Sequence, residues 1–409
     1  MGEAALRLLS AIWNVVGILL ALIIVIELGL PWLRQTSRRL RYGRGGKPHT
    51  RAAADAYGGA DWPFQYETEF ERLFVLDGAP LVHWKQQPGK GVYTNIDAHG
   101  RRIVPGAELA GEEAIRVDCF GGSTMFGIGA RDEGTIPALL QRLLRGSGHP
   151  VAFVNCAQCG HINTQELIEL QQSLKAGERP DIVLFYDGYN DLYTSQMKGQ
   201  ADTIMNEITR SAEFNLLGRE RRWDLIRAAF LGAMPRTLRY LRKLTGLELP
   251  GPGPRVEFAR LGERDLPRLA RALVAAYAAN VRMIRLLARD YGFQALFVWQ
   301  PIPASKKVKS PDEQKWDNMG FDVAARRRLL AAVVAEFRRN PELGGSADFL
   351  DLSALFDDET KPVYIDYCHL SEEANATVAE AIMPALKRAV IAAEAKRHAG
   401  AMPAGGGLR

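Results

Sequence analysis

Five short apolar runs, each a strand's length, recur through the last three quarters of this 409-residue chain. They read AIRVDCF (114–120), VAFVNCA (151–157), DIVLFYD (181–187), FQALFVW (293–299) and ADFLDL (347–352). Amphipathic helical patterns lie between and after them, at 135–145, 164–176, 265–290, 321–339 and about 371–397. Neighbouring parallel strands cannot be joined by a tight turn and need a crossover, usually a helix. This alternation therefore predicts an α/β fold, a three-layer α/β/α sandwich around a mostly parallel five-stranded sheet. The third gap is much longer than the others. Its first part, 193–260, reads as a helical insertion around RRWDLIRAAFLGAMPRTLRYLRKL that ends at PGPGP.

The residues that follow the strands carry the chemistry. Ser123 follows the first on a Gly-Gly turn, Gly160 and His161 follow the second, DGYND with Asn190 follows the third, and YIDYCHLS with Asp366 and His369 follows the fifth. In an open parallel sheet these turns share the carboxyl edge, where ligands bind. Taken alone, VDCFGGSTMFG (117–127) is explained by a βα turn in which Ser123 caps the next helix. Taken together, the turns deliver a hydroxyl, a backbone amide without side-chain bulk, a carboxamide donor and an acid–imidazole pair. Nucleophilic acyl transfer needs each of them. A serine hydroxyl attacks only when a base takes its proton, and His369 is the candidate base. Asp366, three residues earlier, can hold the other ring nitrogen. The amides of Ser123 and Gly160 and the side chain of Asn190 can receive the oxyanion.

Four blocks in this order, FGGS (120–123), NCAQCG (155–160), GYND (188–191) and DYCH (366–369), resemble the SGNH, or GDSL-type, hydrolase superfamily. The resemblance covers about 114–390. It implies a flavodoxin-like sandwich and an esterase with Ser123 as nucleophile and first oxyanion donor. Gly160 and Asn190 would be the other donors, His369 the base and Asp366 its partner, with no metal and no cofactor. The family usually has Asp before the serine, where this chain has Gly122, so the turn is expected to be looser. Two rivals stay open: an O-acyltransferase acting on a glycan or lipid through the same site, and a non-catalytic binding or scaffold module.

At the other end, Leu8 to Ile26 is 19 residues without a formal charge, long enough to span a hydrocarbon core. Trp13 and Trp32 stand where the two interfaces would lie. No small-residue cleavage site marks a signal peptide. Seven basic residues and no acidic one follow between Pro31 and Arg51, and subtracting them from the net +5 leaves about −2 elsewhere. The basicity is local, without an aromatic-interleaved groove for nucleic acid. The expected organisation is a transmembrane anchor at 8–30, a basic linker at 31–60, a hydrolase domain at 61–398 and a disordered tail at 399–409. The flanking charge puts the domain in the cytoplasm, whereas an esterase acting on envelope polymers belongs outside; the side stays open.

Other features read as structural. LVHWKQQPGKGVYTNIDAHGRRI (81–103) is expected to be a hairpin with Pro-Gly-Lys-Gly as its loop. Four cysteines are too few for a disulfide framework, and Cys156 and Cys159 have no second pair to complete a metal site. Cys368 is assigned to packing, His161 to a loop hydrogen bond, Asp191 to bracing its turn, His83 and His99 to structure, and Arg326, Arg327 and Arg328 to a solvated face. The apolar residues Trp223, Leu225, Ile226, Phe230 and Leu231 of the insertion are expected to line an acyl pocket. The substrate itself carries no recognisable code.

Overall fold

The computed structural model describes residues 2–29, 32–33, 51–111, 113–207, 231–245, 259–319 and 322–401. Two compact units divide the chain, one of Met1–Pro48 with Asn206–Glu257, the other of His49–Met205 with Phe258–Arg409.

The larger unit begins with helix α2 (Trp62–Leu73) and two small antiparallel pairs, β1 (Leu76–Ala79) with β2 (His83–Gln86) and β3 (Gly89–Lys90) with β4 (Asn95–Ile96). The sheet strands are β5 (Ile115–Gly121), β6 (Val151–Asn155), β7 (Ile182–Asp187), β8 (Gln294–Trp299) and β9 (Phe349–Asp351). All neighbouring pairs are parallel, in the order β6-β5-β7-β8-β9. This is the flavodoxin-like order, whose direction of winding reverses between β5 and β7.

Period-2 alternation assigns each strand residue to a face. Ile182, Leu184 and Tyr186 pack with α4 (Ile136–Gly146) and α11 (Glu372–Ala401). Val183 and Phe185 pack on the opposite face with α5 (Asn163–Lys175), α8 (Asp265–Tyr291) and α10 (Val323–Arg339). Both faces of the sheet are covered, which is why its strands read as continuous apolar runs. Local chemistry fixes the helix starts: Thr135 accepts from the Ala138 amide, Ser310 and Glu313 form a reciprocal box, and Asp322 accepts from the Ala325 amide.

Three expectations are corrected. The hairpin inside 81–103 is a short one, β3 with β4, that turns at 91–94, so Gly89–Lys90 is strand rather than loop, and a separate hairpin, β1 with β2, turns ahead of it at 80–82, with positive φ at Leu81 and at His83. The end of the expected linker is packed structure: Ala52 and Ala54 are buried, Asp55–Tyr57 is a 3-10 turn, and the Tyr57 hydroxyl donates to the Gly129 carbonyl. Arg326, in the first turn of α10, is buried, not solvated, because it donates back to the Asp317 and Met319 carbonyls ahead of that helix.

Arg102 is the hub of the region behind the serine. Its side chain has no exposed surface and pairs with Asp132 at 2.9 Å. It also donates to the carbonyls of Phe126, Gly127, Tyr93 and Ala130 and to the Thr94 hydroxyl. A fixed guanidinium fork reaches all of these at once; an ammonium cannot. Arg102→Ala leaves Asp132 and four carbonyls without this donor, and is expected to cost roughly 3–5 kcal/mol. Urea denaturation should show it as a lower midpoint, with Arg102→Lys recovering only part of the loss.

The helical pattern at the N-terminus forms α1 (Glu3–Ile24), followed by a π-helical turn, Val25–Gly29. Among the described residues one helix, Leu6–Gly29, is long and apolar enough to cross a membrane. Of the insertion, α6 (Tyr189–Lys198) and the residues to Met205 belong to the larger unit, whereas α7 (Pro235–Thr245) belongs to the unit of α1. Trp223, Leu225, Ile226 and Phe230, expected to line a pocket, lie outside the described residues, as do the linker from 34 to 50 and the tail from 402.

Candidate active site

Strand β5 ends at Gly121, and Ser123 opens the one-turn helix α3 (Ser123–Phe126). The first N–H groups of a helix have no partner within it, so the Ser123 amide is directed outward. Helix α3 is held from behind by Arg102 and from the side by the early segment. Gly129 donates its amide to the Tyr66 hydroxyl and accepts from Tyr57.

Asp366 and His369 share a loop whose ends are tied by an Ile365 amide to His369 carbonyl bond of 2.9 Å and a Ser371 to Val363 bond of 3.0 Å. The loop's foot rests on Glu313, which accepts from the Val363 and Tyr364 amides. Glu313 is itself paired with Lys306, both side chains being fully buried. Asp366 Oδ1 accepts from the backbone amides of Cys368 (3.0 Å) and His369 (2.8 Å). Its Oδ2 lies 2.7 Å from His369 Nδ1, and His369 Nε2 lies 2.7 Å from Ser123 Oγ. The structure thus joins residues 246 positions apart into a continuous serine–imidazole–carboxylate line. Burial alone would raise the Asp366 carboxyl. The attraction and hydrogen bond of His369, the Arg51 charge and the Cys368 amide together hold it well below the usual carboxylate range.

Arg51 went unread in the sequence, where it counts only as the last base of a basic linker. It is half-buried, with Nε 3.0 Å from Glu67 Oε1 and Nη1 3.6 Å from Asp366 Oδ2. No sequence signal distinguishes it from the six bases before it.

Gly160 and Asn190 converge on the same edge. Gly160 has φ +81°, a left-handed conformation that favours glycine, and a Cβ there would touch the Trp84 ring. Asn190 follows β7, the strand beside β5 at the winding reversal, and donates from Nδ2 to the His161 carbonyl at 2.7 Å. A Cβ at position 122 would collide with that same Asn190 nitrogen. Gly122 therefore permits close approach of the carboxamide to the serine turn rather than loosening it, contrary to the sequence-based expectation. Ser123, Gly160 and Asn190 are partly open to solvent, whereas Asp366 and His369 are buried behind them.

The neighbouring titratable groups have structural partners. The His161 ring donates to the Trp84 carbonyl at 3.0 Å, and burial pushes it down to about 4, so it stays neutral. Asp191 accepts from the Asn163 amide, and Asp187 from the Asn163 side chain and the Tyr277 hydroxyl. Burial raises the carboxyls of Asp187, Glu166 and Asp191. Carboxyls this close and this buried disfavour one another's charged forms. Cys156, Cys159 and Cys368 are buried thiols pushed up by desolvation. Among the described residues, Asp366, Cys368 and His369 form the group compact enough to suggest a metal. The Cys368 sulfur, however, is 3.7 and 3.8 Å from the two ring nitrogens. It stands over the imidazole face, off the nitrogen lone pairs, and the donor set does not fit an ion. Tyr367 is exposed beside His369 and continues into a row with Tyr189 and Tyr193.

No family model and no curated protein matches the chain. Solved structures similar to it include an acetyl xylan esterase, AlAXEase, at 16% identity and a TM-score of 0.33, covering 66% of this chain and 100% of that one. TesA matches at 18% identity and 0.32, over 67% of this chain and 98% of its own. A lipolytic protein of the G-D-S-L family from Veillonella parvula matches at 11% identity and 0.32, over 67% and 100%.

Proposed function

We propose that this protein is a membrane-anchored serine esterase of the SGNH type that works through an acyl-serine intermediate. The observation that carries the reading is the line from Ser123 Oγ through His369 to Asp366, with both links at 2.7 Å. In the first half-reaction His369 Nε2 takes the Ser123 proton as Oγ attacks the ester carbonyl. The oxyanion then lies among the amides of Ser123 and Gly160 and the Asn190 side chain. His369 returns the proton to the departing alcohol, leaving the acyl group on Ser123. Water, activated by the same imidazole, releases the acid. Asp366 stays ionised and holds the ring with Nδ1–H toward itself. Leu6–Gly29 serves as the anchor, which the basic run after it supports.

Two consequences follow for individual residues. Asn190→Ala is expected to lower kcat roughly 100-fold or more with KM little changed, as for a donor used mainly in the transition state. A pure KM effect would assign Asn190 to substrate binding instead. Arg51→Met should loosen the hold on Asp366, whose carboxyl the Arg51 charge helps keep below the usual carboxylate range, and lower kcat several-fold with the fold intact. An unchanged kcat would reduce Arg51 to a packing residue.

The same atoms would serve an O-acyltransferase if an alcohol replaced water in the second half-reaction. The deciding experiment is an acyl-chain series of simple esters, run with wild type and Ser123→Ala, with and without an added alcohol or sugar acceptor. Free acid as the main product in the presence of acceptor supports the esterase; acylated acceptor identifies the transferase; no turnover of any ester by wild type contradicts both.

A further inference from the structure

Helix α7 carries a feature that the esterase site does not use. The segment Leu231–Thr245 contains Arg236, Arg239, Arg242 and Lys243 and no acidic residue. Met234, Leu238, Leu241 and Leu244 recur at spacings of three and four, which places them along one side of a helix and the basic residues on the other. Leu241 and Leu244 are exposed, at 42% and 81%, as are Arg239 and Lys243. Leu241 and Leu244 are three residues apart and neighbours on the helix surface, so they form an exposed apolar strip beside the basic side.

The start of α7 is fixed to the end of the apolar helix. Glu27 is the one acid in Leu8–Leu30, and it is buried. Its Oε1 accepts from the Thr237 amide at 2.6 Å, in the first turn of α7, where a negative charge is favoured. Arg236 Nη1 lies 3.5 Å from Glu27 Oε2 and donates to the Glu27 carbonyl at 2.6 Å. An acid at the edge of a hydrocarbon layer needs such a partner. The contact sets the depth of α7: a helix joined to the last turn of a span begins at the membrane surface. Its 11 residues extend about 16 Å from there.

We infer that α7 lies in the headgroup region of an anionic bilayer, with Leu241 and Leu244 toward the acyl chains and Arg239 and Lys243 toward lipid phosphates. The inference goes beyond the catalytic reading and rests on its anchor, Leu6–Gly29. A basic amphipathic helix of this kind gains from both apolar burial and anionic lipid, and Arg and Lys can extend from their buried stems to the headgroups.

The test uses the full chain reconstituted in phosphatidylcholine vesicles with and without phosphatidylglycerol. The four native cysteines are buried, so Leu241→Cys and Arg239→Cys can each be labelled with an environment-sensitive fluorophore. The probe at 241 is expected to shift to the blue in phosphatidylglycerol vesicles. It should be quenched by a spin label near the lipid headgroups and be several-fold less accessible to iodide than the probe at 239. Adding Arg239→Glu and Lys243→Glu to the Leu241→Cys chain should reverse the shift. If the chain floats with vesicles but the probe at 241 stays in water, or is shielded without lipid quenching, the inference is overturned and the anchor stands. If the chain does not float at all, both are overturned.

Discussion

Replacing Ser123 by alanine is expected to lower kcat for ester hydrolysis by about ten-thousandfold or more, with the melting temperature almost unchanged. The two halves of this expectation have separate physical origins. The chemical loss is large because no other described nucleophile stands within reach of His369 Nε2; the Cys368 sulfur lies over the ring face, buried and protonated. The structural loss is small because Oγ makes one side-chain bond, to His369, while the turn itself is held by Arg102, Tyr66 and Tyr57. Retention of more than about a tenth of wild-type turnover would remove Ser123 from the mechanism, since loss of an activated nucleophile costs several powers of ten.

Asp366→Asn is the second large effect, also about ten-thousandfold in kcat. The backbone determines its direction. The amides of Cys368 and His369 both donate to Oδ1, so in asparagine that position must remain the carbonyl oxygen. The NH2 group then occupies the place of Oδ2 and donates to His369 Nδ1. The imidazole is forced to carry its proton on Nε2, facing Ser123 Oγ, and can no longer accept the serine proton. The geometry of the loop would be preserved and the activity lost. If Asp366→Asn kept most of its activity, the tautomer argument would be wrong, and Asp366 would be a loop-capping residue alone.

The sheet and the convergence of four turns were legible in the sequence because both rest on local pattern. Continuous apolar runs such as DIVLFYD occur where both faces of a strand are covered, and the helix faces repeat at 3.6. The turn residues could be read because a parallel sheet puts every strand's carboxyl end on one edge. What could not be read is whatever depends on a distant partner. Arg51 looked like one more base in a charged run until Asp366 and Glu67 came beside it. Arg102 lies in the stretch read as a hairpin and Lys306 and Glu313 in one with no assigned element, and nothing in their spacing announces full burial. Arg326 was misread because a triplet of arginines on a helix resembles a solvated face, whereas one of the three turns inward to carbonyls. Gly122 was misread for a similar reason. Its departure from the family pattern suggested slack, but the space is taken by Asn190 from the neighbouring strand's turn.

The most direct test of the central claim is to treat the full-length protein with a fluorophosphonate and locate the adduct by peptide mass spectrometry. A phosphonate reacts with a serine whose proton is accepted by a neighbouring base, so the label reports on the Ser123–His369 link itself. The account predicts a single adduct on the peptide containing Ser123, absent from Ser123→Ala and strongly slowed in Asp366→Asn. An adduct at another serine, or folded wild-type protein that takes no label, would contradict it.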